Sequence, residues 1–310
     1  MKGTDLLTIS QLTKSEIETL VDYAIKLKTF VIPAEKQRKI LDGKTLAMIF
    51  EKPSLRTRVS FETGIFRLGG HGIYLGPNDI SLGKRESAGD IACTLDRMVD
   101  LIMARVFAHD SVVTLAEYAK VPVINGLSDL EHPTQAIADF ITIREHKGEY
   151  AGKKLVFVGD GNNVAHSLML FAAKVGMNFT IACPEGYDPM TSVVDDAEKC
   201  AEKTGADIVI ERDPYDAVEG ADVVYTDVWA SMGQESESEK RAKIFAPYRV
   251  DSKLMAAAKP DAIFMHCLPA HRGSEVTDEV VDSHQSVVFD EAENRLHAQM
   301  SIMAQLAGKI

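Results

Sequence analysis

Two apolar patterns recur along the chain. One is a short unbroken apolar run, as expected for a parallel strand buried on both faces. The other spaces apolar residues three and four apart, as on one face of a helix. Thr13-Lys14-Ser15-Glu16 is a capping box, and Ile17, Leu20, Val21, Ala24 and Leu27 then share a helical face. Thr45–Phe50, after the polar Asp42-Gly43-Lys44, reads as a buried strand that Pro53 ends, because proline cannot donate to a ladder. Ser54 then caps a helix from Leu55 to Phe66, with Val59, Phe61, Ile65 and Phe66 at helical spacing. Further on, the pattern predicts a strand at Gly72–Leu75, a polar glycine-bearing loop at Pro77–Ser87 and a helix at Ile91–Val99. Asp100–Val106 is a strand with Arg105 near its C-terminal end, Ser111–Ala119 a helix and Val121–Asn125 a strand. Strand and helix alternate throughout, which implies a parallel α/β sheet.

A longer helix opens at Asp129–Gln135 and runs through His146, with Pro133 suited to its first turn. It is expected to bridge two halves. The alternation then restarts: strand Lys154–Val158, helix Asn163–Val175, strand Phe179–Cys183 and a helix over Val193–Thr204. Strands are expected near 207–210, 222–226, 262–266 and 286–289, and a final helix over Glu291–Leu306. The charged stretch 231–249 reads as a surface loop or lid. No solenoid repeat or low-complexity tract interrupts the pattern.

Length and charge narrow the function. The 310 residues suggest two domains, and 45% hydrophobic residues suffice for full cores. A net charge of −12, from 46 acidic against 34 basic residues, argues against nucleic acid as the main partner. Local basic clusters in an acidic protein instead suit a small anionic substrate. Cys93, Cys183, Cys200 and Cys267 are scattered, so no disulfide frame or zinc site is expected. With no signal-like start and no apolar run of membrane-spanning length, the expectation is a soluble cytoplasmic protein.

Five stretches carry candidate chemistry. Ser54-Leu55-Arg56-Thr57-Arg58 joins a helix N-terminus to hydroxyls and guanidinium forks, which suits a phosphate; it also reads as a capped helix with a solvated basic face. Gly159-Asp160-Gly161-Asn162-Asn163-Val164 follows a strand and opens a helix like a dinucleotide fingerprint. Val164 stands where the third glycine belongs, so Asn163 reads better as a hydrogen-bonding residue for a small polar ligand. His132 and Gln135, three apart at a helix start, can face one carbonyl oxygen and one amide nitrogen together, or be a cap and a surface glutamine. Asp227 can take an α-ammonium group, and Ser231 with a loop N–H a carboxylate; the same residues read as a loop cap. In His266-Cys267-Leu268-Pro269 a thiolate nucleophile is conceivable, but neighbours on a strand face opposite ways. Cys267 is therefore expected to contact the reacting centre without covalent chemistry.

Together these motifs resemble the aspartate/ornithine carbamoyltransferase superfamily, and within it the ornithine carbamoyltransferases, over almost the whole chain. S-L-R-T-R at 54–58 resembles the carbamoyl-phosphate motif, and Arg105 sits in the expected strand. H-P-T-Q at 132–135, D-V-W-A-S-M-G at 227–233 and H-C-L-P at 266–269 match in order, and Arg295 lies near the start of the closing helix. The resemblance implies an α/β fold of two domains, each a parallel sheet flanked by helices, joined by two interdomain helices. Residues 1–131 with 292–310 would bind carbamoyl phosphate, 132–147 would link, and 148–291 would bind ornithine. It also implies homotrimers, or assemblies of trimers, with shared active sites. The loop 77–87 would reach a neighbouring subunit; it carries Ser81 where relatives often have Gln or His, so Lys84 or Arg85 can contribute instead.

The implied reaction joins carbamoyl phosphate and L-ornithine to give L-citrulline and phosphate, with no metal or organic cofactor. Ser54, Leu55 N–H, Arg56 and Thr57 would hold the phosphate. Thr57, Arg105 and His132 would polarise the carbonyl, with Ser81 and Arg295 also on carbamoyl phosphate. Gln135 and the Cys267-Leu268 carbonyl region would fix the carbamoyl nitrogen. Asn163, Asp227, Ser231 and Met232 N–H would hold ornithine. Sister transcarbamoylases acting on aspartate, putrescine or N-acetylornithine are the near alternatives, and the S-M-G motif argues against them. A dinucleotide-dependent oxidoreductase and a catalytically silent binding protein are the distant ones.

Overall fold

The apolar runs become strands buried on both faces. β1 (Thr45–Phe50) buries every residue from Leu46 onward, and β3 (Leu101–Arg105) buries all of its side chains. β2 (His71–Leu75) and β4 (Val123–Leu127) complete a parallel sheet of order β2-β1-β3-β4. Around them the chain forms α1 (Lys14–Lys28), α2 (Ala34–Gln37), α3 (Leu55–Arg67), α4 (Pro77–Ile80), α5 (Ala88–Leu95) and α6 (His109–Tyr118). α1 starts on the capping box read from the sequence: Thr13 accepts from Glu16 N–H, and Glu16 accepts from Thr13 N–H. One core of this sheet joins Ala47, Ile49, Ile102 and Ala104 to Ile91 of α5 and Leu115 of α6.

These elements come from a computed structural model that describes residues 4–80, 82, 86–230 and 237–308. The chain divides into two units, Met1–Ile141 with Glu293–Ile310, and Thr142–Ala292. It passes from the first to the second within α7 (Pro133–Lys147).

The second unit repeats the architecture. β5 (Lys154–Val158), β6 (Asn178–Ala182), β7 (Ile208–Glu211), β8 (Val223–Thr226) and β9 (Ile263–His266) form a parallel sheet of order β7-β6-β5-β8-β9. Its helices are α8 (Asn163–Val175), α9 (Thr191–Thr204), α10 (Pro214–Val218), α11 (Ser238–Phe245), α12 (Ser252–Met255) and α13 (Asp278–Val281). The chain returns to the first unit within α14 (Val288–Leu306). Among the described residues, no helix is long and apolar enough to cross a membrane.

Both sheets reverse direction internally. In the first, the chain leaves β1 toward β2 and resumes at β3 on the other side of β1. In the second, it steps from β5 to β6 and β7, then resumes at β8 on the other side of β5. The crevices beyond the carboxyl ends of β1/β3 and of β5/β8 are therefore switch points, where open α/β sheets bind ligands.

Three expectations need correction. Residues 286–289 form no strand: Ser286 makes a single bridge to Phe264, and α14 begins at Val288. The β-branched run was overridden because only Gln285 and Val287 reach the β9 backbone. The stretch 231–249 is not all loop. Ser238–Phe245 is helical because Arg241 and Phe245, four apart, are buried on one side, and a 3-10 turn at Ala246–Tyr248 follows. Finally, Pro77–Ile80 is a helical turn within the expected loop, and α5 runs Ala88–Leu95 on a Ser87 cap rather than Ile91–Val99.

Candidate active site

In the first unit, the turn after β1 is built as the sequence suggests. Ser54 adopts an extended backbone, and its hydroxyl accepts Thr57 N–H at 3.3 Å, so it caps α3. Thr57 is fully buried, whereas Leu55 is exposed and Arg56 half-buried. Arg58 turns away: it pairs with Glu62 and lies 3.9 Å over the Tyr74 ring. The basic face expected at 54–58 therefore splits, with Arg56 and Thr57 on the site side.

Thr57 is the hub. Its Oγ1 accepts from Arg105 Nη1 at 3.5 Å and from Arg295 Nη2 at 3.2 Å. With both lone pairs facing guanidinium donors, the hydroxyl proton is left to donate to a ligand oxygen. Arg105 is the last residue of β3, and the β3–β4 register shifts there, with Gly126 of β4 left unpaired between Asn125 and Leu127. Arg295 Nη1 also donates to Gln135 Oε1, and Gln135 Nε2 donates to Asp139 Oδ1 at 2.7 Å. Both ends of the Gln135 amide are thus oriented.

His132 is buried beside this cluster. Burial, and then the Arg295, Arg105, Lys52 and Arg56 cations, hold its imidazole well below the usual histidine range. It is consequently neutral, and a neutral imidazole can still donate one hydrogen bond. The turn before it is braced: Asn125 Nδ2 donates to Leu7 O at 2.9 Å, and Ser128 N–H donates to Glu131 O at 3.0 Å. Lys52 was missed in the sequence reading. It is only 8% exposed, lies 4.7 Å over the Phe107 ring, and adds positive charge next to the Ser54 cap. A lysine directly before the strand-ending proline was the available signal.

In the second unit, Asp227 follows β8 and collects donors. Its Oδ2 accepts from Asn162 Nδ2 at 2.9 Å, and its Oδ1 from Val228 N–H at 2.8 Å and Cys267 Sγ at 3.1 Å. Asn163, expected from the sequence to meet ornithine, is the first residue of α8 and half-buried. Its neighbour Asn162 makes the Asp227 contact, and also caps α8 by accepting from Val164 and Ala165 N–H. One amide thus serves both ends. Ser81, Ser231 and Met232 lie outside the described residues, as do Lys84 and Arg85.

His266 is not turned clear of Cys267, contrary to the strand-alternation expectation, because β9 ends at His266 and Cys267 lies beyond it. Leu268 then takes φ +57°. Donor atoms of Asp227, His266 and Cys267 lie within 4.8 Å of one another, a set that could ligate a divalent cation. Both His266 nitrogens are already engaged, however. Nδ1 accepts Leu268 N–H at 2.9 Å and Nε2 meets buried Glu275 at 3.2 Å. His266 therefore braces the turn and does not activate the thiol.

In the glycine-rich turn after β5, a Cβ on Gly161 would stand 2.2 Å from Pro189 N, so only glycine lets the Asp188-Pro189 backbone pack this close.

Two family models match successive parts of the chain. Residues 4–145 match the aspartate/ornithine carbamoyltransferase carbamoyl-P binding domain, and 151–306 the Asp/Orn binding domain. The chain is 56% identical to an ornithine carbamoyltransferase of Thermococcus kodakarensis, covering 100% of this chain and 98% of the relative. It is 54% identical to the "Ornithine carbamoyltransferase, anabolic" of Pyrococcus furiosus, again over 100% and 98%. The solved structure of a Pyrococcus furiosus ornithine carbamoyltransferase superimposes with a TM-score of 0.96 over 100% of this chain and 98% of that one. The chain belongs to the aspartate/ornithine carbamoyltransferase family, among its ornithine carbamoyltransferases.

Proposed function

We propose that this enzyme transfers the carbamoyl group of carbamoyl phosphate to the δ-amine of L-ornithine, giving L-citrulline and phosphate. The observation that carries the reading is the first unit's cluster: a threonine hydroxyl between two guanidinium groups, beside a buried neutral histidine. The cations neutralise a phosphate dianion, and the neutral imidazole donates to a carbonyl without adding a proton that would quench the amine. The acceptor identity is supported by full-length similarity to ornithine carbamoyltransferases.

In this mechanism Ser54, Leu55 N–H, Arg56 and Thr57 hold the phosphate at the α3 N-terminus. Thr57, Arg105 and His132 donate to the carbonyl oxygen as negative charge develops on it. Gln135, oriented by Arg295, and the Cys267-Leu268 carbonyl region fix the carbamoyl nitrogen. Asp227 takes the α-ammonium group, with Asn163 nearby and Ser231 and Met232 N–H on the carboxylate. The δ-amine forms the new C–N bond, the carbon–oxygen bond to phosphate breaks, and the amine's proton leaves with the departing phosphate. Cys267 orients the amine and is never carbamoylated. Positioning and electrostatics supply the rate.

We further place the enzyme in the cytoplasm, in arginine biosynthesis, as a homotrimer or assembly of trimers, with loop 77–87 reaching a neighbour. The scattered cysteines and the "anabolic" relative support the first two. Sedimentation velocity tests the third, and a monomer with full activity would refute it. The reaction itself is tested by citrulline formation with ornithine, aspartate and putrescine in parallel. Carbamoylation of ornithine alone is expected; equal turnover with either other amine would overturn the assignment.

A further inference from the structure

We propose that Arg241 is a positioning residue for the amino-acid acceptor: its buried guanidinium joins the loop after β5 to the loop after β8 and so sets the spacing of Asn162 and Asp227. The proposal rests on the reading that Asp227 holds the ornithine α-ammonium group.

Arg241 sits in α11 and is only 7% exposed. Its Nη1 donates to Asp160 Oδ2 at 2.7 Å and to the Trp229 carbonyl at 2.9 Å, and its Nε to Glu237 at 3.2 Å. The guanidinium also lies 4.9 Å from the centre of the Tyr187 ring. The two Nη1 acceptors bracket the acceptor site. Asp160 stands two residues before Asn162, and its carbonyl accepts Asn162 N–H at 2.7 Å. Trp229 stands two residues after Asp227. The 2.9 Å Asn162–Asp227 bond closes the ring. One nitrogen thus ties both loops.

The strength of the tie follows from burial. An exposed ion pair contributes little, whereas removing one member of a buried pair strands the other's charge. Burial already pushes the Asp160 carboxyl above its ordinary range, and Arg241 is the largest influence holding it down. Without Arg241 the Asp160 loop has reason to rearrange toward solvent, taking the Asn162 backbone with it. Lysine would keep a charge opposite Asp160 but lacks the planar fork that serves Asp160, Trp229 and Glu237 together.

The test is steady-state kinetics of R241Q, R241K and D160N beside D227N. L-norvaline, which is ornithine without its δ-amine, serves as a competitive probe of α-group binding. R241Q should raise the ornithine KM and the norvaline inhibition constant together, by about tenfold, the scale of one coupled contact. The carbamoyl-phosphate KM should stay within about twofold, since among the described residues the partners of Arg241 are Asp160, Trp229, Glu237 and aromatic rings of the second unit. R241K should recover part of the loss, and R241Q/D160N should be no worse than R241Q. An R241Q enzyme with lowered thermal stability but unchanged ornithine and norvaline constants would make Arg241 merely structural and overturn the proposal. Equal rises in both substrates' KM would do the same. If R241Q fails to fold, D160N reads the same contact and must raise the ornithine KM alone. D227N separates the underlying reading. If D227N leaves the ornithine KM unchanged, the assignment of Asp227 falls and takes the proposal with it. If D227N raises the ornithine KM and neither R241Q nor D160N does, only the Arg241 proposal fails.

Discussion

His132 has one useful protonation state. Among the cations of Arg295, Arg105, Lys52 and Arg56 it stays neutral, with its pKa well below 6.5. The unfolded chain, with a histidine near 6.5, therefore binds more protons than the folded one between the two values. Stability from this residue is fully present above about pH 6.5 and is lost as pH falls toward the folded value. His132→Gln, a neutral donor, should flatten this acid-side slope in thermal unfolding between pH 5 and 7 on the unperturbed-histidine scale. An unchanged slope would show that His132 titrates normally. Arg105 is the next residue to isolate. Arg105→Ala should cost at least about a hundredfold in kcat, the scale of one lost charge-stabilising donor. Arg56→Lys should also be poor, because lysine has no planar fork. Near-native turnover in Arg105→Ala would move the anion site elsewhere. Cysteine chemistry differs by site in the same way. Burial pushes the Cys183 thiol up to about 12, while Cys93 is exposed. Alkylation at pH 8 should label Cys93 and spare Cys183, as read by peptide mass spectrometry.

At the scale of elements, function sits on helix starts and strand ends. Asn162 shows why. Its carbonyl oxygen caps α8 while its amide nitrogen holds Asp227, so two roles share one side chain. Asn162→Ser should keep the cap and lose the Asp227 contact. Asn162→Ala should lose both and cost about 1 kcal/mol of stability as well. Both variants should raise the ornithine KM, and only alanine should shift the denaturation midpoint. A serine variant with a native ornithine KM would show that Asn162 is a cap alone. Capping was legible in the sequence for Ser54 and Thr13 because those residues act on their own helices. It was not legible for Asn162, since two adjacent asparagines offer the same local chemistry and only the turn decides which one faces Asp227.

At the scale of the whole molecule, the two units carry separate sets of partners. Asp227→Asn should raise the ornithine KM steeply and leave carbamoyl-phosphate binding intact, because among the described residues its hydrogen-bond partners Asn162, Val228 and Cys267 lie within the second unit. Arg105→Ala should do the reverse in a binding titration with carbamoyl phosphate. Direct transfer is tested by incubating the enzyme with carbamoyl phosphate alone. No carbamoylated Cys267 peptide should appear, and Cys267→Ser should keep measurable turnover. A modified Cys267 would mean a covalent route.

The α/β class, the two-part organisation and the family were set by local information: unbroken apolar runs, helical spacing, caps and five ordered motifs. Such signals survive in one dimension because they concern neighbours in the chain. What folding alone decided is which distant groups meet. Thr57 and Arg295 are 238 positions apart, and Gln135 and Arg295 are 160 apart, yet all share one hydrogen-bonded cluster. The burial that leaves His132 neutral, the ion pair that brings Arg241 out of a stretch read as loop, and the Asp188-Pro189 backbone packed against Gly161 are likewise tertiary. Each depends on what is excluded from water and what approaches from elsewhere in the fold, and no spacing along the sequence encodes either.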